Sequence, residues 1–399
     1  MLTRRHTLLG LAALPLLAEL GLPGLALARA NTDKRFVFVV LRGGLDGLAA
    51  VPPYAEPEYQ RLRGGLALAE PGQERGMIGL DRRFGMHPAL APLERFWQAK
   101  QFAIVHAVAT PYRQRSHFDG QDLLENGTDD PRAKPEGWLN RAIGLLGPTK
   151  QRLGLAVSQN VPLVLRGPAP VASWAPAQLP DASPDFLAKV AELYRHDALL
   201  GPAFTEGLGA HALSAELIGD NHQMGGNMRG PQTFRTAAEA AAKLLAAAAG
   251  PRIAVLEITG WDTHAQQNGR LGQPLGALAE GIAALAETLG PVWNDTVLVA
   301  ASEFGRTVAQ NGTGGTDHGT AGVAFVLGGR IAGGRMVGRW PGLAQSALYE
   351  GRDLMPTTDL RAVLKGVLGS HLGIPADALD RVVFPGSREV KGLPELMSA

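Results

Sequence analysis

Cysteine is absent from the 399 residues, which excludes disulfides, thiolate metal sites and a cysteine nucleophile. An excess of charge of either sign is missing too, since 38 basic residues stand against 37 acidic ones. Nucleic acid is therefore not an expected partner, because phosphate binding needs clustered positive charge. Internal repeats are missing. Beyond the N-terminal region no segment reads as the uninterrupted apolar length that a membrane span needs.

What the chain carries first is a leader pattern. Thr3-Arg4-Arg5-His6-Thr7-Leu8-Leu9 precedes an apolar stretch through Leu27, closed by Ala28-Arg29-Ala30. That order of charged, apolar and small-residue parts is a secretory signal. The arginine pair before a mildly hydrophobic core points to the twin-arginine variant. Pro15, Gly21, Pro23 and Gly24 interrupt the stretch, leaving it short of the ~20 apolar residues of a spanning helix. Residues 1–30 are expected to be removed, leaving a periplasmic or secreted protein with no stable membrane span. The twin-arginine translocase is its expected partner during export. A chain that folds in the reducing cytoplasm cannot rely on disulfides made later, which suits the missing cysteine.

The remaining chain alternates strands and helices. Continuous apolar runs at Arg35–Leu41, Phe102–Val108, Ile253–Ile258, Thr296–Ala301 and Val323–Leu327 suit strands buried on both faces. Helical patterns cover Pro184–Tyr194, Thr233–Ala249 with Gly250 as C-cap, Leu275–Leu289 before Gly290, and Thr358–Leu368. This alternation predicts an open α/β sheet in one domain, residues 31–399. The Pro-, Gly- and Ala-rich segment at about 160–231 is expected to be an insertion or cap over the sheet.

Polar residues gather where these strands end. Arg42-Gly43-Gly44-Leu45-Asp46-Gly47 follows the first, Arg113 to Asp119 the second, Thr259 to His264 the third, and Ser302-Glu303-Phe304-Gly305-Arg306 the fourth. Gly315-Thr316-Asp317-His318-Gly319 precedes the fifth. Ligands of open parallel sheets bind beyond the carboxyl ends of the strands. Asp46, Asp262, His264, Glu303, Asp317 and His318 form an Asp/Glu/His set without Cys, which suits zinc or manganese. Each has a plainer reading: Asp46 as a turn former, Asp262 with His264 as a surface hydrogen bond, Glu303 in a salt bridge to Arg306, and His318 as a hydrogen-bonded loop histidine. Their shared strand-end placement favours a metal centre.

Ser116-x-x-Asp119 has the form of a capping box. Alternatively, Ser116 is a hydroxyl nucleophile at a helix start, with His117 as ligand or proton donor and Arg113 and Arg115 as an anion clamp.

Together the motifs Arg42-Gly43-Gly44-x-Asp46-Gly47, Ser116-His117-Phe118, Gly137-Trp138-Leu139-x-Arg141, Trp261-Asp262-Thr263-His264, Ser302 to Thr307 and Thr316-Asp317-His318-Gly319 resemble a large family of twin-arginine-exported bacterial proteins. That family is catalogued as a domain of unknown function. The resemblance runs from about Arg35 to Pro385. The family in turn is distantly similar to the alkaline phosphatase and sulfatase superfamily, which implies a mostly parallel central sheet with helices on both faces. It also implies one or two divalent ions at the carboxyl edge. By this resemblance Asp46 matches a ligand of one metal, Asp262 and His264 an Asp/His pair on the other, Glu303 the place of an Asp-His pair, and His318 the last histidine ligand. Ser116 matches the nucleophile.

The implied activity is metal-dependent hydrolysis of a phosphate or sulfate ester, small or polymeric. Ser116 and His117 would act at the reacting atoms, and Arg115 or Arg306 would stabilise charge on the transferred group. The alternative is a non-catalytic periplasmic binding or assembly protein that keeps the fold and a structural ion or anion site.

Overall fold

A computed structural model describes residues 32–147, 152–176, 182–218 and 231–398. The leader expected in residues 1–30 lies outside them. The strands are β1 (Arg35–Arg42), β2 (Ile78–Gly79), β3 (Gly85–Met86), β4 (Phe102–Ala109), β5 (Gly154–Ala156), β6 (Val171–Ser173), β7 (Ile253–Thr259), β8 (Thr296–Ser302), β9 (Gly322–Gly328), β10 (Arg335–Val337) and β11 (Thr358–Asp359). All but β2 and β3 join one sheet in the order β10-β4-β9-β8-β1-β7-β5-β6, with β11 also on β4. β1 lies between β7 and β8, parallel to both. Its residues from Phe36 to Leu41 are all buried, the condition its unbroken Val/Phe/Leu run anticipates. The five long runs of the sequence are β1, β4, β7, β8 and β9.

The sheet is mostly parallel, with one reversal. β9 runs antiparallel to both β4 and β8. Its first residue therefore lies at the edge where the parallel strands finish. The loop before β9 and the loops after β1, β4, β7 and β8 all reach one edge for this reason.

Helices cover both faces. One layer contains α3 (Trp138–Gly144) and α8 (Leu360–Leu372), among other elements. Phe36, Phe38 and Val40 join its core, and the Trp138 ring meets Phe38 edge-on at 5.2 Å. Alternating residues Val37 and Val39 face the other way, where α6 (Pro231–Ala246) and α7 (Gly272–Leu289) pack on one another and on β7. α7 ends on Gly290 at φ +54, as expected. α6 stops at Ala246, earlier than the expected Gly250. Pro251 disfavours helix at the residue before it, and Arg252 donates to the carbonyls of Ala248 and Gly250 beyond the helix end. α8 begins two residues later than expected because Asp359 caps it, accepting from the Arg361 amide at 2.8 Å.

Residues 267–295 are long and apolar enough to cross a membrane, with mean hydropathy 1.2, yet 61% of that apolar window is buried in the protein. This corrects the reading that no such length follows the leader. It is a core helix. Among the described residues, 182–218 form one compact unit, and those of 32–176 and 231–398 form another. Residues up to 176 belong with the sheet because β6 pairs with β5. The described part of the small unit holds α4 (Pro184–Tyr194) and α5 (Leu200–Ile218), joined by an edge-on Tyr194–Phe204 contact at 5.8 Å.

Candidate metal centre

Close backbone approaches bring the strand-end loops together. Gly43, at φ +125, donates its N–H to Glu303 Oε1 at 2.9 Å. A Cβ there would stand 3.0 Å from the Asp262 nitrogen. After β7, buried Trp261 ties its indole N–H to the Ile258 carbonyl at 3.0 Å, which fixes the turn into Asp262. Gly315 lies so near His264 that a Cβ would fall 2.4 Å from its carbonyl carbon. Arg306 and His318 form an isolated antiparallel bridge, joining the loop after β8 to the loop before β9.

Three histidines converge there, each held by its outer nitrogen. His117 opens α2 (His117–Asn126) and donates from Nδ1 to Glu303 Oε1 at 2.7 Å. His264 donates from Nδ1 to Asp317 Oδ1 at 3.1 Å. His318 donates from Nδ1 to the carbonyl of Arg115 at 2.8 Å. Carboxylates and carbonyls only accept, so in each neutral ring the lone pair is left on Nε2. Those lone pairs point at one another. His264 Nε2 and His318 Nε2 are 3.0 Å apart, and Asp262 meets all three rings, at 3.0 Å from His264, 3.3 Å from His318 and 3.6 Å from His117. Ligand atoms of His117, Asp262 and His318 all lie within 4.8 Å of one another.

Two lone pairs at 3.0 Å repel unless a positive charge lies between them. His117 Nε2 is moreover buried without a hydrogen-bond partner among the described residues. Three imidazole nitrogens and a carboxylate, each ring nitrogen oriented by an outer acceptor, are a donor set that fits a divalent ion. The Glu303 bond holds the His117 pKa above the usual value although burial opposes it. Burial lowers that of His318. Burial works to raise Asp262, but Arg306, His264 and His117 hold it below the ordinary carboxylate range.

The other expected ligands do different work. Asp46 is 1% exposed. Its Oδ1 accepts the amides of Leu48 and Ala49, the cap of α1 (Gly47–Ala50). Its Oδ2 accepts Arg63 at 2.5 Å and Gln267 at 2.6 Å. In this arrangement Asp46 is a helix cap and a buried ion-pair partner, apart from the converging His117, Asp262, His264 and His318. Glu303 stands behind the ring of His117, its Oε1 accepting from His117, Gly43 and Gln121 and its Oε2 lying 2.8 Å from Ser302 Oγ. Burial pushes its pKa up, and those bonds bring it below the ordinary value. Asp317 orients His264 and also accepts from Asn311 at 3.1 Å.

The expected anion clamps are likewise committed. Arg115 bonds Asp353 at 2.8 Å and Glu350 at 2.5 Å, and Arg113 donates to the carbonyls of Thr110 and Tyr112 in its own loop. Arg306 is buried and donates to Asp262 at 2.6 Å and to Thr316. Its partner is therefore Asp262, and the salt bridge expected with Glu303 is replaced. Ser116 stands at the N-cap of α2, but the capping box is not made. Its N–H donates to the Tyr112 hydroxyl, and that hydroxyl donates to Asp119. Ser116 Oγ has no hydrogen-bond partner among the described residues.

Sequence reasoning missed Asp353, Arg63, Gln267 and Phe304. Buried Asp353 holds Arg115 and Thr320. Gln267 joins Asp46 to Thr263 and Thr316. Phe304 packs beside the rings of His117 and His318, at 4.9 and 5.1 Å, while those two rings meet each other at 4.3 Å. Phe304 alone had a signal, as the neighbour of Glu303 in a strand-end cluster.

No curated protein matches the chain. Among solved structures it is similar to Ps i-CgsB, with 10% identity, TM-score 0.45, and 92% of this chain and 76% of that one covered. A second is the C-terminal periplasmic domain of EcEptC from Escherichia coli in complex with Zn, at 10% identity and TM-score 0.42, covering 92% of this chain and 93% of that one. A third is the phosphonate monoester hydrolase of Agrobacterium radiobacter, at 12% identity and TM-score 0.35, covering 91% and 77%. The family described as "Protein of unknown function (DUF1501)" matches residues 101–383, a span that holds all four converging residues, and the chain belongs to that family.

Proposed function

We propose that the protein is an exported, metal-dependent hydrolase of phosphate or sulfate esters, with zinc or manganese held by His117, Asp262, His264 and His318. The observation that carries this reading is the convergence of three oriented Nε2 atoms on Asp262 at an open sheet edge. The Asp262 and His264 side chains are each 46% exposed, so solvent or substrate can reach the ion. When bound there, a divalent ion supplies Lewis-acid polarisation of an ester oxygen and lowers the pKa of a neighbouring hydroxyl. Ser116 is the candidate nucleophile: its hydroxyl is unengaged, stands at the start of a ten-residue helix and directly precedes His117. Arg306 acts through Asp262, fixing its orientation. Arg115 acts through its carbonyl, fixing His318.

A second reading is a non-catalytic protein with a structural ion. It is favoured by the count of donors, because four protein ligands complete the shell of a structural zinc site. Turnover of aryl phosphate and sulfate esters separates the two. The hydrolase reading predicts activity that Asp262→Ala and His318→Ala each abolish and that Ser116→Ala lowers by several orders of magnitude. Metal-loaded protein without turnover would leave the structural reading. Unchanged turnover in Ser116→Ala would leave Ser116 without a catalytic part.

Export through the twin-arginine route is proposed from Arg4, Arg5 and Ala28-Arg29-Ala30. Replacing both arginines by lysine should retain the protein in the cytoplasm, and continued export would refute the assignment.

A further inference from the structure

We infer that Asn311 is a positioning residue that holds His264 in place as a ligand, acting on its ring and its main chain at once. This rests on the reading of His117, Asp262, His264 and His318 as ligands. His264 needs outside support more than the other two histidines. Its side chain is 46% exposed, against 24% for His117 and 25% for His318. The His117 ring packs against Phe304 and His318, and the His318 ring against Phe304, His117 and His264. The His264 ring meets His318 at 4.8 Å and otherwise faces the open edge. Hydrogen bonds must therefore set its orientation.

Asn311 supplies them from the loop before β9. Its Nδ2 donates to the His264 carbonyl at 2.9 Å and to Asp317 Oδ1 at 3.1 Å. That same Asp317 oxygen accepts from His264 Nδ1 at 3.1 Å. Asn311 Oδ1 accepts the Thr313 and Gly315 amides at 3.0 and 2.9 Å. These partners fix which way the amide faces, because its oxygen must meet the two N–H groups and its nitrogen the carbonyl and the carboxylate. Both hydrogens and both lone pairs are thus spent on joining segment 311–317 to His264. Main-chain bonds run along the same seam, from Thr316 to the Thr263 carbonyl at 3.1 Å and from Gln267 to the Gly314 carbonyl at 2.9 Å. Those bonds hold the two backbones together and leave the imidazole free to turn. The route through Asp317 is the one that reaches Nδ1, and so aims Nε2 at Asp262 and His318.

The test is a double-mutant cycle on the purified chain, read as zinc affinity by competition with a chromogenic chelator. Asn311→Asp keeps the size and the acceptor but sets a carboxylate against Asp317 and the His264 carbonyl. It should weaken binding by roughly 10- to 100-fold, the usual effect of losing an outer partner. In a His264→Ala background, which keeps three ligands, the same substitution should change affinity by less than about twofold, because the group it positions is gone. X-ray absorption of zinc-loaded Asn311→Asp should show imidazole scattering reduced from three rings toward two, and this count needs no His264→Ala protein. Unchanged affinity in the single variant, an equal loss in both backgrounds, or an unchanged imidazole count would overturn the inference and leave the centre intact. A parent protein that binds no zinc would overturn the centre and the inference together. If Asn311→Asp fails to fold, Asn311→Ala removes the same bonds without adding charge and is held to the same outcomes.

Discussion

His318 is set by an atom that no side-chain pattern reveals. Its Nδ1 partner is the carbonyl of Arg115, whose φ of +62° is left-handed backbone that costs an L-residue about 1–2 kcal/mol. The bonds to Asp353 and Glu350 hold Arg115 in that conformation. Asp353→Asn should therefore weaken metal binding by roughly 10- to 100-fold without removing a ligand, the usual effect of losing an outer partner. Glu303→Gln should do the same through His117. Competition against a chromogenic chelator measures both, and affinities unchanged from the parent would refute the positioning roles. The placement of Asp262, His264 and His318 near one another was legible because each stands in a polar cluster at a strand end. That Glu303 hydrogen-bonds the His117 ring was not, since only tertiary packing decides which of two neighbouring groups faces the other. Asp353 lies in a Gly-Arg-Asp loop with no pattern to mark it.

Elements bring these residues together through one antiparallel strand. Were β9 parallel, the loop carrying Asp317 and His318 would reach the opposite edge of the sheet. The contact of that loop with His264 depends on Gly315. Gly315→Ala should push the two segments apart, destabilise the fold by about 1–3 kcal/mol as overpacking does, and reduce metal affinity. Chemical denaturation and the same competition assay check both, and a wild-type profile would show that the loops have slack. The five long strands could be read from sequence because doubly buried strands leave unbroken apolar runs. β5, β6, β10 and β11 are two or three residues long, too short to leave a period. Helix ends shifted where side chains of Arg252 and Asp359 capture backbone groups, a contact that propensity does not encode.

At the scale of the whole molecule, stability should depend on pH through histidines far from proposed chemistry. Burial pushes His106 down to about 4, and His371 likewise to about 4. The unfolded value is about 6.5, so between those limits the unfolded chain binds more protons. Stability is thus fully present above about pH 6.5 and falls as pH drops toward 4, by at most about 3 kcal/mol for each group at about 1.4 kcal/mol per unit. Urea midpoints of chelator-treated protein at pH 7 and pH 5 should show the loss. His106→Gln should flatten the slope, because an amide can still donate to the Val51 carbonyl. A midpoint indifferent to pH would contradict it.

Metal and fold should also be coupled, because the four proposed ligands come from three segments spread between His117 and His318, about half of the chain. Binding to the folded state alone raises stability by about 2.7 kcal/mol when free metal is 100 times the dissociation constant. The ligand shell itself is the most direct test. X-ray absorption at the metal edge of zinc-loaded protein should show imidazole nitrogens at about 2.0–2.1 Å, with the outer-shell scattering of three histidines, lost in part in His318→Ala. A shell of water oxygens alone, or one that His318→Ala leaves unchanged, would contradict the account.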